Sequence, residues 1–481
     1  MSLFRRFEKV AKSHAQKTAI ITRHSQISYG NILALTEIFE QKLQEHLSNG
    51  ETRIAFVSNK LEFFVIMMLV ASRNSYTLMF CDPDTLINCG VEFDCVVSEL
   101  DLKTKAAENH IKIDKTWLKR SNAPRRARPQ SIEGNAVFVP KTSGSTGQAM
   151  LYPVKEAAFV AGLEYAPEFL GIEPFDTRVY CSTSGGMRWA QNVAFRSLLR
   201  GASIFSAPLN EDYIPNLIDV YRIDVLAITP AFATKLLSVD NIAQYLKTVK
   251  KIIIGGAFVS RKLVRQLAEV CSASITLAFG STENNGLVAY VYDPNLSRPD
   301  NYLGEIISPD FDIVFFDPET RERIEGNEGL IGVSHPTIVT STAYLNTIGD
   351  TRKNAFKDGY FIPGDIMRRE GNSIFHLGRS SSVVNIGGNK FSVDMIERAL
   401  TAIPEISGIA VFSKRDKDEV EQLFMAYSAT KPFSIKELND VLTANPEFKL
   451  AEIYGAKRFD MLPLNASTKI DRMKVKELYF S

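Results

Sequence analysis

Cysteine is scarce in this chain. Five occur in 481 residues (Cys81, Cys89, Cys95, Cys181 and Cys271), odd in number, scattered and without paired metal-ligand spacing. That excludes a disulfide-stapled scaffold and a zinc ribbon, and it fits a reducing compartment. The six histidines form no cluster and no H-E-x-x-H, which removes the common zinc hydrolases. Charge of one sign is also missing. Lys plus Arg number 56 against 55 for Asp plus Glu, so no global basic field points to nucleic acid or an anionic membrane. No run is apolar enough to span a bilayer, since the stretch 63–71 falls well short of about 20 residues. The start, Met1 to Arg6, is not followed by an apolar signal core, so a cytoplasmic protein is expected. No G-x-G-x-x-G opens a helix after a strand, which disfavours a dinucleotide oxidoreductase, and there is no Walker G-K-[ST].

What is present is a core-forming composition, 45% hydrophobic and 23% charged. At roughly 100–200 residues per domain the length allows two to four domains. The first 50 residues read as helix, short hairpin, helix, and 53–57, 76–80 and 95–97 as buried strands with an apolar helix at 61–72. Asp82-Pro83-Asp84 reads as a turn. The polar segment 101–133, with Arg120, Arg125, Arg126 and Arg128, reads as a solvated connector. From Asn135, β-branched runs at 136–139, 178–180, 202–205, 225–228 and 251–254 alternate with helical stretches. That order predicts an α/β fold, mostly parallel sheets with covering helices. Residues 302–377 predict a β-rich subdomain, and those after Arg379 a small mobile α+β domain, so the expected division is 1–379 and 380–481.

Four motifs carry chemistry. Thr142-Ser143-Gly144-Ser145-Thr146-Gly147 follows an apolar strand. Its glycines allow close approach of the backbone, and its hydroxyls and N–H groups donate to phosphate oxygens. Phe279-Gly280-Ser281-Thr282-Glu283 follows another, and a carboxylate there suits Mg²⁺ together with phosphate. Gly364-Asp365 and Gly378-Arg379 pair an acceptor for ribose hydroxyls with a planar cationic fork. The tail, Pro463 to Arg472, presents Lys469 in a polar turn between strand-like and helical segments. Taken singly, a Ser/Thr/Gly loop is often a linker, Glu283 a surface or capping residue, Gly364-Asp365 a turn, and Arg379 or Lys469 a solvated charge.

In this order the motifs resemble those of the adenylate-forming superfamily, which includes acyl- and aryl-CoA synthetases, nonribosomal-peptide adenylation domains and luciferase. The resemblance runs from the stretch around Tyr29 to Arg472. It includes Ile228-Thr229-Pro230-Ala231 and Ile254-Gly255-Gly256-Ala257. It implies ATP-dependent activation of a carboxylic acid to acyl-AMP with release of pyrophosphate. A thiol, either CoA or carrier-protein phosphopantetheine, then takes the acyl group. By the resemblance, residues 142–147 hold the β- and γ-phosphates, Thr282 the α-phosphate and Glu283 Mg²⁺. Gly256, Ala257, Ala278, Phe279 and Gly280 border adenine and the acyl pocket. Asp365 and Arg379 hold ribose, and Lys469 stabilises charge at the α-phosphate. Ser381 is the implied hinge. Gly387, Gly388, Asn389 and Lys390 resemble the loop bordering the thiol tunnel.

The chain departs from the family pattern in places. Met150 stands where the phosphate loop's lysine is usual, with Lys141 as a possible substitute, and Met150→Lys is expected to leave the fold intact. The hinge is Ser, Thr468 precedes the lysine, and Pro363 precedes Gly364-Asp365. No acid lies in 182–189 to pair with an α-ammonium, so an α-amino acid substrate is disfavoured. In that segment Arg188 and Trp189 are candidates for the substrate pocket with Gly255, Arg188 for a second polar group and Trp189 for a wall; the plainer reading is two structural residues at a helix start. The acceptor is left open between CoA and an acyl carrier protein, whose acidic surface a basic patch would steer. The rival readings are an amide synthetase, with an amine acceptor, and a degenerate ATP-binding non-enzyme. No nucleic-acid partner and no membrane span are expected, and the chain is read as a monomer or homodimer.

Overall fold

A computed structural model describes the chain outside residues 23–24, 49, 51, 103–108, 119–133, 143–149, 166–170, 175, 184, 207–213, 338, 340, 342, 347–354, 387–388, 416–420, 446–447 and 465–469. The apolar runs form strands in two stacked sheets. The smaller has the order Val154–Lys155, Val137–Val139, Thr77–Cys81, Arg53–Val57, Cys95–Ser98, His110–Lys112, and it is parallel except at its first pair. Side chains alternate across it: Ile54 and Phe56 enter the main core, whereas Ala55 and Val57 join Met79, Val96 and Val139 on the far face. Burial on both faces explains runs that are apolar throughout instead of alternating.

The larger sheet has a parallel stretch ordered Thr18–Thr22, Ser203–Ser206, Arg178–Cys181, Val225–Ile228, Lys251–Gly255, Ser274–Phe279. Beyond Ser274–Phe279 it continues antiparallel through Val288–Val291, Tyr302–Ile306, Ser373–Arg379, Asp365–Glu370, Glu328–Ser334 and Asp312–Phe316. The β-rich segment is therefore a continuation of the main sheet. It keeps a core cluster of its own around Phe311, Phe315, Ile331 and Met367.

Helices Leu3–Ser13, Tyr29–His46, Leu61–Asn74, Glu156–Glu164 and Arg188–Leu199 contribute to one core that also takes residues from both sheets. In Leu61–Asn74 every residue from Leu61 to Ser72 except Glu62 is buried, as a helix enclosed between two sheets requires. The opposite face of the larger sheet packs on Pro230–Leu237 and Arg261–Val270. The latter buries Leu263, Val264 and Leu267 and is capped by Ser260.

The last segment is α+β. Strands Ile406–Arg415, Glu421–Ala429 and Ile453–Phe459 form a sheet, and helices Val393–Thr401 and Ile435–Thr443 cover one side through a cluster drawn wholly from residues 384–456. Arg472–Phe480 closes the other side over Ala410, Ala426 and Leu462.

Two local readings need correction. Asp82-Pro83-Asp84 is a helix start: Asp82 accepts from Thr85 N at 2.7 Å and Pro83 opens the helix Pro83–Asn88. The segment read as a solvated connector supplies the edge strand His110–Lys112 and buries Trp117 edge-on against Phe39, 4.9 Å between centroids. Its four arginines lie outside the described residues. No helix among the described residues is long and apolar enough to cross a membrane.

Candidate active site

The carboxyl ends of the parallel strands meet along one edge, the usual ligand position in open α/β sheets. Gly255 ends one strand. A Cβ there would sit 2.9 Å from the Ala278 carbonyl oxygen and 3.6 Å from the ring of Trp189, so its absence lets the indole lie against the sheet edge. Gly256 and Ala257 are exposed just beyond, and Ala278 and Phe279 are half-buried at the end of the next strand. The chain then turns tightly: a Cβ on Gly280 would be 2.4 Å from the Gly286 Cα. Within this turn Thr282 is half-buried and Glu283 is 4% exposed, its Oε1 accepting from the Tyr344 hydroxyl at 2.5 Å. Asn285, at φ 58°, closes the turn. Its Oδ1 accepts from Arg188 Nε at 3.0 Å and Asn192 Nδ2 at 2.5 Å.

The hairpin 365–379 makes a second corner. Asp365 and Arg379 are register partners. Asp365 is 2% exposed, and its Oδ1 accepts from Arg379 Nε at 2.9 Å and from His376 Nε2 at 3.0 Å. Burial alone would raise this carboxyl's pKa. The Arg379 charge and the bonds from His376 and Arg379 outweigh it and hold the group below the usual range. The His376 ring lies 6.3 Å from that of Phe279, which joins this corner to the strand leading to Glu283.

At the first turn of the helix Arg188–Leu199, Arg188 is 3% exposed, and burial pushes its pKa down to about 10 against the opposing influence of Tyr152 and Glu283. Among the described residues, its Nη2 has no hydrogen-bond partner, nor have Trp189 Nε1, Gln191 Oε1 and Asn192 Oδ1. Buried polar atoms are nearly always paired, so four orphans on one helical turn mark a place that water or a ligand completes.

Ser143, Gly144, Ser145, Thr146, Gly147, Gly387, Gly388 and Lys469 lie outside the described residues. Thr142 is buried and pairs across a short hairpin with Met150. Met150 is 4% exposed and belongs to the main core, so the expectation that Met150→Lys spares the fold is wrong: the lysine would place a charge among apolar side chains. Lys141, the suggested substitute cation, is committed to the Asp82 carboxylate. Lys390 lies on the strand Asn389–Ser392, and Ser381 is exposed in the turn Ser380–Ser382. A bridge joins Leu464 to Ile470, and Asp471 N donates to Pro463 O at 2.8 Å.

The sequence profile of the AMP-binding enzyme family matches residues 7–342. The chain belongs to this family. Tyrocidine synthase 3 of Brevibacillus parabrevis is 20% identical over 494 residues, covering 98% of this chain but 8% of that protein. This AMP-binding chain thus spans less than a tenth of the length of that relative. The 2,3-dihydroxybenzoate-AMP ligase of Bacillus subtilis (strain 168) is 24% identical over 305 residues, 60% of this chain and 54% of that one. Among solved structures, the anthranilate CoA ligase AuaEII in complex with anthranoyl-AMP superposes with a TM-score of 0.82 at 15% identity over 99% of this chain and 97% of that one, a likeness of fold.

Three residues of the candidate site escaped the sequence reading. His376 sits three positions before Arg379 on one strand but, as one of six scattered histidines, gave no cluster. Tyr344 reaches Glu283 from 61 residues away, a separation no local motif records. Asn285 had a weak signal, an Asn two residues after the motif in a turn that needs positive φ.

Proposed function

We propose that this AMP-binding enzyme activates a planar carboxylic acid with ATP and transfers the acyl group to a thiol. The observation that carries the reading is the pair of corners at one sheet edge: buried Glu283 held by Tyr344, and buried Asp365 held by Arg379 and His376, linked through Phe279. The first is proposed to meet the phosphates and the second the ribose, with Gly256 and Ala257 proposed to border adenine. Asp365 accepts both protein bonds on Oδ1, leaving Oδ2 for a ribose hydroxyl. Thr142 begins the loop proposed to wrap the β- and γ-phosphates.

In the first half-reaction a carboxylate oxygen of the acid bonds to the α-phosphorus, and the bond to pyrophosphate breaks. Thr282 and Lys469 stabilise the charge gathering on the α-phosphate. In the second, a thiolate attacks the acyl carbonyl and AMP leaves. The donor set suits Mg²⁺, which takes few protein carboxylates and completes its shell with phosphate and water. Glu283 offers such a carboxylate, with Oε2 free of hydrogen-bond partners among the described residues. Bound there, the ion would screen the phosphate charge.

Trp189 against Gly255 and Ala278 forms a flat wall that fits an aryl ring, and the relatives' substrates, dihydroxybenzoate and anthranilate, are of this class. Residues 380–481 are proposed as a lid pivoting at Ser381, supported by their self-contained core, with Gly387, Gly388 and Lys390 facing the incoming thiol. The test is ATP–pyrophosphate exchange over a panel of aryl, hydroxy, fatty and amino acids. Exchange that depends on an aryl acid is expected, and CoA or a phosphopantetheinylated carrier protein added to that acid then identifies the acceptor. An acid that exchanges but acylates only amines would convert the reading to an amide synthetase. Silence with every acid, with AMP binding intact, would overturn the activity.

A further inference from the structure

Arg398, on the helix Val393–Thr401, reaches the back of the ribose corner. Its Nη2 lies 2.7 Å from His376 Nδ1, and its Nη1 donates to the His376 carbonyl oxygen at 3.1 Å. The guanidinium also stacks over Phe258, 4.5 Å from the ring centroid, and Lys262 donates to the Pro404 carbonyl oxygen nearby. This contact settles the imidazole's protons. A guanidinium has only donors, so Nδ1 must accept, and the ring proton sits on Nε2, which donates to Asp365 at 3.0 Å. One neutral ring thus bridges the carboxylate at the sheet edge and the last segment of the chain.

We infer that His376 is a positioning residue that ties Asp365 to the 393–401 helix, so that a ribose held by Asp365 favours the docked position of that helix. The inference rests on the reading of Asp365 as the ribose site. The physical link is differential: a ribose hydroxyl on Oδ2 fixes the carboxylate, the carboxylate fixes the Nε2–H bond, and that bond aims the Nδ1 lone pair at Arg398. A ligand shifts a two-state element only through such a difference, and the helix must in turn strengthen nucleotide binding. The charged groups facing the ring are Asp365 and Arg379 from the hairpin and Arg398 from the helix; Asp394, Asp300 and Glu397 act on Arg398 in turn.

The test needs no acid substrate. Amide hydrogen exchange is followed over 393–401 in the full chain, without nucleotide and with saturating AMP or 2′,3′-dideoxy-AMP, and binding is checked by calorimetry. AMP is expected to slow exchange about fivefold or more, the lower range of ordinary coupling, and dideoxy-AMP much less. The slowing should vanish in His376→Phe at saturating AMP. His376→Gln keeps a donor and an acceptor, and should restore it in part. Arg398→Met should lose the slowing while thermal unfolding shows an intact fold. Equal slowing in His376→Phe, or AMP binding to wild type without slowing, overturns the coupling alone. No AMP binding at all overturns the ribose reading, and the coupling with it.

Discussion

At the corner proposed for ribose Asp365, Arg379, His376 and Arg398 answer one another, whereas at the start of the 188–199 helix four buried polar atoms have no partner among the described residues. The first arrangement is complete before any ligand arrives. Its cost is met inside the fold, and a nucleotide meets a carboxylate already ionised and aimed. The second is incomplete, and the desolvation of Arg188 and Trp189 is recovered only when something enters to accept their protons. On the proposed assignment the lesson is a division of labour: the part of the site that would meet an invariant cosubstrate has its hydrogen bonds in place, and the part that would meet the variable acid holds unspent hydrogen-bonding capacity.

Breaking the complete corner should have the largest effect. Asp365→Ala leaves buried His376 without its acceptor and half-exposed Arg379 without its carboxylate, and loss of about 1–3 kcal/mol of unfolding free energy is expected, measured by denaturant titration, with a large rise in KM for ATP. Met150→Lys should also destabilise, by about 1–3 kcal/mol or more for an unpaired charge in a core, without raising the rate of pyrophosphate exchange. A faster, equally stable variant would show that the side chain escapes to the phosphate loop. Arg188→Met is the sharper probe of the incomplete region. Removing a buried guanidinium whose Nη2 is unpaired offsets the loss of its Nε bond to Asn285, so stability should change by less than about 1 kcal/mol. The KM for an acid bearing a second acceptor group should nevertheless rise about tenfold, as loss of a charge-assisted bond implies. A large stability loss with unaltered KM would mean that Arg188 serves the turn through Asn285 alone.

The smallest expected effect concerns acid. Asp365 has a depressed pKa in the folded chain, so its contribution is in full above its unfolded value of about 3.9 and is lost as pH falls through the lower folded value. Asp365→Asn should flatten this part of the stability profile, read by thermal unfolding between neutral and acid pH.

Much of the architecture was legible because it rests on burial. The runs at 54–57, 225–228 and 252–254 are apolar throughout, as strands covered on both faces must be, and they fall where the sheets need them. The two corners were legible as motifs since Glu283, Asp365 and Arg379 each sit beside a glycine turn that local sequence records. What escaped was set by distance or by sidedness. Tyr344 acquires its role only when a segment 61 residues away folds back on Glu283, and His376 only when the hairpin pairing sets it beside Asp365. Trp117 belongs to a segment polar on average, and average polarity hides a single buried anchor. Met150 lies on a two-residue strand, too short for alternation to reveal which face it takes.

The most direct test of the central claim is to detect acyl-AMP itself. The chain is incubated with ATP, Mg²⁺ and the acid found by exchange but with no thiol, and quenched samples are analysed by mass spectrometry beside Lys469→Ala. Acid-dependent acyl-AMP is expected at about one per wild-type chain, and the variant should form it at least about 100-fold more slowly while still binding AMP. ADP and phosphate as products, or equal acyl-AMP from the variant, would contradict the account.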